Sequence, residues 1–238
     1  MAGGYQTWPL IQFGMIGEAW RLYKRHWVVW SLAMFIVLSC YSFVTGAVLS
    51  VLGVRHLLGP GGFRLFLMPG RHTLPFVVSN VVASFFVGGM IRMASNQLRG
   101  RAPRLEDLFS VTDVWFDLSL VAFLYGVVTS LAYMLCVVPG FIVAGLYMLA
   151  IPLVVEGRLP ATGALIQSWD SLKSQWLVAT LFNMVLILAS FSGAMLCGVG
   201  LIFTGPLYCL AISILYRDFF GSSALSSWKK GPEPFPEF

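Results

Sequence analysis

The sequence predicts an all-α protein, a polytopic bundle of six transmembrane helices with two amphipathic helices at the membrane interface. Three observations carry that expectation. Hydrophobic residues fill 58% of the 238 positions, charged residues only 11%, and mean hydropathy is +0.83. Soluble domains average about 45–50% apolar and about 25% charged residues. The apolar residues gather into uncharged runs of bilayer length, and the basic residues stand between those runs. Such spacing orients a membrane chain; a nucleic-acid site needs its cations clustered on one soluble face.

A hydrocarbon core takes about 20 apolar residues per helix, within a range of about 17–25. Residues 27–54 form the first expected span and 74–91 the second, followed by a polar stretch from Arg92 to Asp117. The uncharged run Leu118–Val155 is too long for one helix. Pro139-Gly140 divides it, because proline lacks an N–H and glycine favours turns. Spans over 118–138 and 140–155 result. The run from Leu177 to Tyr216 divides in the same way at Gly198-Val199-Gly200, giving spans over 177–197 and 200–216. The fourth and sixth spans are short enough to tilt or to be re-entrant. Residues 1–220 make one membrane domain, and the proline-bearing segment 221–238 reads as a flexible tail.

Lysine and arginine set the orientation. Twelve of them (Arg21, Lys24, Arg25, Arg92, Arg99, Arg101, Arg104, Arg158, Lys173, Arg217, Lys229 and Lys230) fall on one expected side, with all ten acidic residues. Only Arg55, Arg64 and Arg71 fall on the other. Both termini are therefore expected in the cytoplasm. The first apolar run is too long for a cleavable signal and reads as a signal anchor.

An internal repeat occurs at a separation of 149 residues: Ile16, Trp20, Tyr23, Lys24 and Trp27 match Leu165, Trp169, Leu172, Lys173 and Trp176. The apolar members recur at i, i+4, i+7 and i+11, one face of a helix. Each copy immediately precedes a span. Interfacial helices are accordingly expected over 10–26 and 160–175, with Trp20, Lys24, Trp169 and Lys173 at headgroup level. Duplication explains the repeat, and so does the general look of any interfacial helix before a span.

Other residues carry a resemblance: Gly17-Glu18-Ala19-Trp20 with Lys24 and Trp27, Arg99-Gly100-Arg101-Ala102-Pro103 with Asp107-Leu108-Phe109, Val138-Pro139-Gly140, and Gly200 with Thr204-Gly205-Pro206 and Tyr216. From about residue 10 to 220 the chain resembles a loose group of bacterial six-span membrane proteins. That group includes the membrane domain fused to some glycerophosphoryl diester phosphodiesterases. The resemblance implies six spans, paired interfacial helices and a bacterial inner membrane. It implies no activity, because the phosphodiesterase domain is not in this sequence.

The chemistry of the spans is sparse. No expected span holds an ionisable residue, which coupled transport or buried acid–base catalysis requires. His26, His56 and His72 sit at span ends or in a loop, away from positions suited to haem or pigment. Cys40, Cys136, Cys197 and Cys209 lack the clustered spacing of zinc or iron–sulfur sites. No cofactor and no metal site is expected. Ser79, Asn80, Ser84, Thr129, Ser130, Asn183, Ser190, Ser192 and Thr204 either line a polar seam or bond backbone carbonyls and bridge helices.

Small residues repeat every four positions at Ser84 and Gly88, and again at Ala189, Gly193 and Cys197. Such stripes let helices approach closely, within the chain or with a partner subunit. Arg99, Arg101 and Arg104 offer an electrostatic handle for anionic headgroups or a partner, or they simply fix topology. No nucleophile–base pair or carboxylate pair is apparent, so an enzyme is not expected. The sequence reads as an accessory or scaffold protein associating with membrane lipid, another membrane protein subunit or a second copy. A small permease without intramembrane charge is the alternative.

Overall fold

A computed structural model describes residues 10–51, 73–195 and 200–230 of the chain. Every element in those segments is helical: α1 (Gly14–Arg25), α2 (Trp27–Val51), α3 (Thr73–Leu98), a 3₁₀ segment (Leu105–Val114), α4 (Trp115–Leu135), α5 (Val137–Leu146), α6 (Ala150–Val155), α7 (Ala161–Leu172), a 3₁₀ turn (Lys173–Gln175), α8 (Trp176–Met195) and α9 (Leu201–Lys230). Five stretches among the described residues are long and apolar enough to cross a membrane: Trp27–Val48, Leu105–Leu135, Val137–Val155, Ala161–Ser190 and Leu201–Gly221. The chain is a multi-pass membrane protein.

α2, α3, α4, α5, α8 and α9 each pack on the next, and α9 closes the ring against α2 and α3. Every residue from Cys209 to Tyr216 is buried, so α9 is enclosed on all sides along those two turns. A helix apolar all round belongs in such a position. Phe35, Phe43, Leu135 and Leu188 instead project outward, an arrangement that water would penalise and hydrocarbon does not.

Several boundaries differ from expectation. α3 runs to Leu98, seven residues past the expected end of the second span at Ile91, and carries Arg92 within it. It ends in a Schellman motif: Arg101 N–H donates to the Asn96 carbonyl (3.0 Å), Gly100 N–H to that of Gln97 (3.0 Å), and Gly100 sits at φ +79°. The break between α4 and α5 lies at extended Cys136 (φ −168°), not at Pro139-Gly140. Pro139 instead occupies the first turn of α5, where a missing N–H costs nothing. Gly140 lets the Tyr133 ring lie against α5, where a Cβ would strike it. α9 continues to Lys230, two residues before Pro232, and residues 231–238 of the expected tail lie outside the described residues. Arg55, Arg64 and Arg71, the expected sparse face, lie outside the described residues.

The apolar stretch Val137–Val155 is itself interrupted between α5 and α6, at Tyr147–Leu149. Such a break orphans carbonyls that hydrocarbon cannot satisfy. Ser168 of α7, fully buried, donates its hydroxyl to the Leu146 carbonyl at 2.7 Å. Asp117 of α4 accepts from the Ala161 N–H at 3.2 Å and so caps the start of α7 in turn. We expect Ser168→Ala to lower unfolding stability by about 1–3 kcal/mol, the cost of an unpartnered buried carbonyl. Thermal unfolding in detergent of the two proteins measures that difference, and an unchanged midpoint would mean another donor reaches Leu146.

Candidate functional site

Described ion pairs gather at one end of the bundle. Arg92 of α3 donates to Asp113 (2.9 Å), to the Ser110 carbonyl (2.5 Å) and to the Val155 carbonyl (3.1 Å), joining α3, the 3₁₀ segment and α6. Arg158 donates to the other oxygen of Asp113 at 3.0 Å. Arg99 pairs with Glu156, whose side chain is only 5% exposed. Arg217 of α9 grips Glu18 of α1 (2.7 Å) and its neighbour Asp218 (2.8 Å). The hydrogen bond from Arg217 holds the Glu18 carboxyl below its ordinary value, despite the opposing effect of partial burial.

At this end α1 and α7 lie in the same register. Positions 149 apart share their environment: Met15, Ala19 and Tyr23 are buried with Ala164, Ser168 and Leu172, while Trp20 and Trp27 are exposed with Trp169 and Trp176. The match runs on into α2 and α8, where Trp30, Ala33 and Val37 are buried with Ala179, Phe182 and Leu186. The copies also touch, through the Ile11 N–H on Gln175 (3.2 Å) and the Phe13–Phe182 ring pair (5.9 Å). A third exposed aromatic group, Phe109, Trp115 and Phe116, flanks the 3₁₀ segment. The sequence reading missed it, although three aromatics within eight residues beside Arg101 and Arg104 were the available signal.

The expected site residues divide accordingly. Trp20, Lys24, Trp169, Lys173, Arg101 and Arg104 are exposed at this end. Lys24 lies over the Trp20 ring at 5.9 Å, whereas Lys173 turns to Asp170 at 2.5 Å. Arg99 is engaged with Glu156 within the chain while its side chain stays partly exposed. The small-residue stripes are likewise taken up internally. Ser84 is buried, and a Cβ at Gly88 would meet Leu118 at 2.8 Å and Val155 at 3.3 Å. A Cβ at Gly193 would strike Thr204 and the Gly200 carbonyl, because α8 and α9 approach there. Ala189 is half-buried on the same helix, and Cys197 lies outside the described residues.

Two hollows adjoin the break between α5 and α6. An inner pocket of about 150 Å³ lies among α3, α4, α6 and α9, with Asn80, Ser84, Tyr125, Tyr147 and Tyr208 as its polar lining. An outer groove of about 280 Å³ lies beneath α7, between Tyr147, Leu165, Ile166 and Trp169. Tyr147 lines both, and its ring leans on Trp169 at 5.9 Å. Of the expected polar seam, Asn80 and Ser84 line the pocket, and Asn183 accepts from Tyr208 at 3.4 Å. Ser130 and Thr204 bond backbone carbonyls instead. Neither hollow has an Asp, Glu, Lys, Arg or His in its lining.

No family model, no curated protein and no solved structure matches this chain.

Two outcomes are expected from this geometry. Glu18 is held below its ordinary value of 4.5, so its contribution to stability is present above that pH and fades as pH falls beneath it. Glu18→Gln should flatten the loss of thermal stability in acid, and an acid slope as steep as that of the parent would remove this pair from the account. Gly193→Leu should destabilise the fold itself by about 1–3 kcal/mol, the usual cost of overpacking. A well-folded Gly193→Leu protein of parental stability would show the α8–α9 approach to be slack.

Proposed function

We propose that this chain is an accessory or scaffold membrane protein of six spans that works by association with membrane lipid or another membrane protein complex. The observation that carries the reading is the matched register of α1–α2 and α7–α8, which puts Trp20 and Trp169 outward at one end of the bundle. Tryptophan favours the headgroup level, where its ring is apolar and its N–H stays wet. Exposed Lys24, Arg101 and Arg104 beside them suit anionic lipid or an acidic partner surface. α3, 26 residues long, supplies the sixth crossing, at about 1.5 Å per residue more than the hydrocarbon thickness. The abundance of basic residues at this end supports a cytoplasmic location for it and for both termini. Resemblance to the bacterial six-span group suggests the inner membrane.

A permease-like role for a neutral solute is the second reading, favoured by the polar pocket beside an interrupted crossing. Saturable solute uptake into liposomes containing only this protein would replace the scaffold reading with that one.

Orientation and anchoring are both open to measurement. In a background without the native cysteines, a cysteine at Gly62 should react with an impermeant thiol reagent added outside cells, and one at Ser222 should not. The reverse pattern overturns the orientation. Lipids brominated near the headgroup should quench Trp20 and Trp169 more than lipids brominated near the chain ends. Trp20→Glu and Trp169→Glu should each lower stability by a few kcal/mol at most, while insertion persists. Equal quenching by both lipid types would leave the interfacial collar without support.

A further inference from the structure

The inner pocket and the outer groove are both too small for an ordinary ligand site when taken singly. Sites for small molecules begin at about 300 Å³; the pocket has about 150 Å³ and the groove about 280 Å³. Tyr147 lines both, and the two volumes together exceed that size. Their linings are complementary. The inner end presents hydroxyls and an amide from three helices and the break, namely Asn80, Ser84, Tyr125, Tyr147 and Tyr208. The outer end is chiefly aliphatic and aromatic, and it opens where Ile166 is 64% exposed beside Trp169. We propose that the two form one binding site for a neutral amphipathic lipid, with its hydrogen-bonding head in the inner pocket and its apolar chain in the groove under Trp169.

Each part of that assignment follows from the linings. A charged head finds no counter-ion in either hollow, and an unpaired charge in so dry a place is prohibitive. Ser84 and Tyr208 spend their hydroxyl protons on the Val81 carbonyl and on Asn183, so a fully apolar molecule would leave the acceptor sites of their oxygens unused. A small hydrophilic solute would leave the chiefly apolar groove unfilled. A neutral head on an apolar chain satisfies all three constraints. The structure also shows why the site stays open. The Ser168 hydroxyl on the Leu146 carbonyl fixes α7 to the end of α5, and the following break carries Tyr147 between the two hollows. This inference goes beyond the anchoring role proposed above; the two share Trp169, and Trp20, which only the anchoring role uses, separates them in the test.

Photolabelling of the full chain in lipid nanodiscs tests it, using a diazirine-bearing monoacylglycerol as the neutral probe and a diazirine-bearing fatty acid as the anionic one. The neutral probe should label saturably, with crosslinks mapping to residues around Tyr147 and Tyr208. The anionic probe at neutral pH should label that region about tenfold less, the ratio set by roughly one lost polar contact. Ser84→Leu, which fills the inner pocket, should abolish the saturable component. Tyr208→Phe removes only a hydroxyl and should weaken it by about five- to tenfold even if the leucine variant fails to fold. Trp20→Glu should leave the labelling unchanged, so failure of the collar and failure of this site are separable. Labelling that does not saturate, spreads evenly to outward residues such as Phe35, favours neither probe, or ignores Tyr208→Phe in a folded protein would overturn the proposal.

Discussion

Arg92 sets the terms for the rest of the structure. It sits within α3, where a bare guanidinium is costly, and its donors are spent on Asp113 and on the Ser110 and Val155 carbonyls. Those three partners lie in two segments far apart in sequence, so one side chain holds α3, the 3₁₀ segment and α6 at one level. Gly89 lets the 3₁₀ segment lie flat on α3, since any Cβ there would strike the Leu108 carbonyl. The ten-residue length of that segment is unusual for 3₁₀ geometry and depends on this outside support. Arg99 with Glu156 and Arg217 with Glu18 extend the same arrangement to α6, α9 and α1.

With the charges gathered at one end, the interior must satisfy its remaining polar groups one at a time. Fully buried Trp30 donates its indole N–H to Gln97 at 2.8 Å, and Gln97 donates onward to the Leu22 carbonyl at 2.8 Å. This chain ties the end of α1 to α2 and α3 without any charge. Ser168 does the equivalent work for α5 and α7. In a low dielectric such bonds are hard to replace with solvent, so they fix registry as well as adding stability. The pocket at the α5–α6 break is the place where several polar side chains converge beyond these pairwise links.

Composition and periodicity made the membrane class, the helical architecture and the two tryptophan-bearing helices legible, because each depends on local pattern. The 149-residue repeat was visible as five matching residues, and it extends through the burial of α2 and α8, which a sequence of uniformly apolar residues conceals. Break positions were less legible. Pro139 marks a helix start rather than a helix end, and the Tyr147–Leu149 interruption precedes Pro152, which has no N–H for the Met148 carbonyl, while Ser168 of α7 bonds the Leu146 carbonyl. The small-residue stripes were legible as close-approach surfaces but not as to which helix approaches, since spacing along one helix holds no information about its neighbour. The pocket was invisible for the same reason. Asn80, Tyr125, Tyr147 and Tyr208 are scattered over 129 positions and meet only in the folded ring.

The two copies of the repeat differ where the groove lies, and two side chains account for the difference. In the first copy Arg21 cannot attract Lys24, which instead lies over Trp20, and Trp20 stacks on Tyr23 at 5.6 Å. That copy is closed upon itself. In the second copy the position of Arg21 is taken by Asp170, which draws Lys173 to 2.5 Å, and Leu172 stands where Tyr23 stood. Trp169 therefore has neither the cation nor the ring that hold Trp20, and it leans on Tyr147 of the interrupted crossing instead. One aspartate in place of an arginine, and one leucine in place of a tyrosine, thus turn a self-contained surface helix into the roof of a groove.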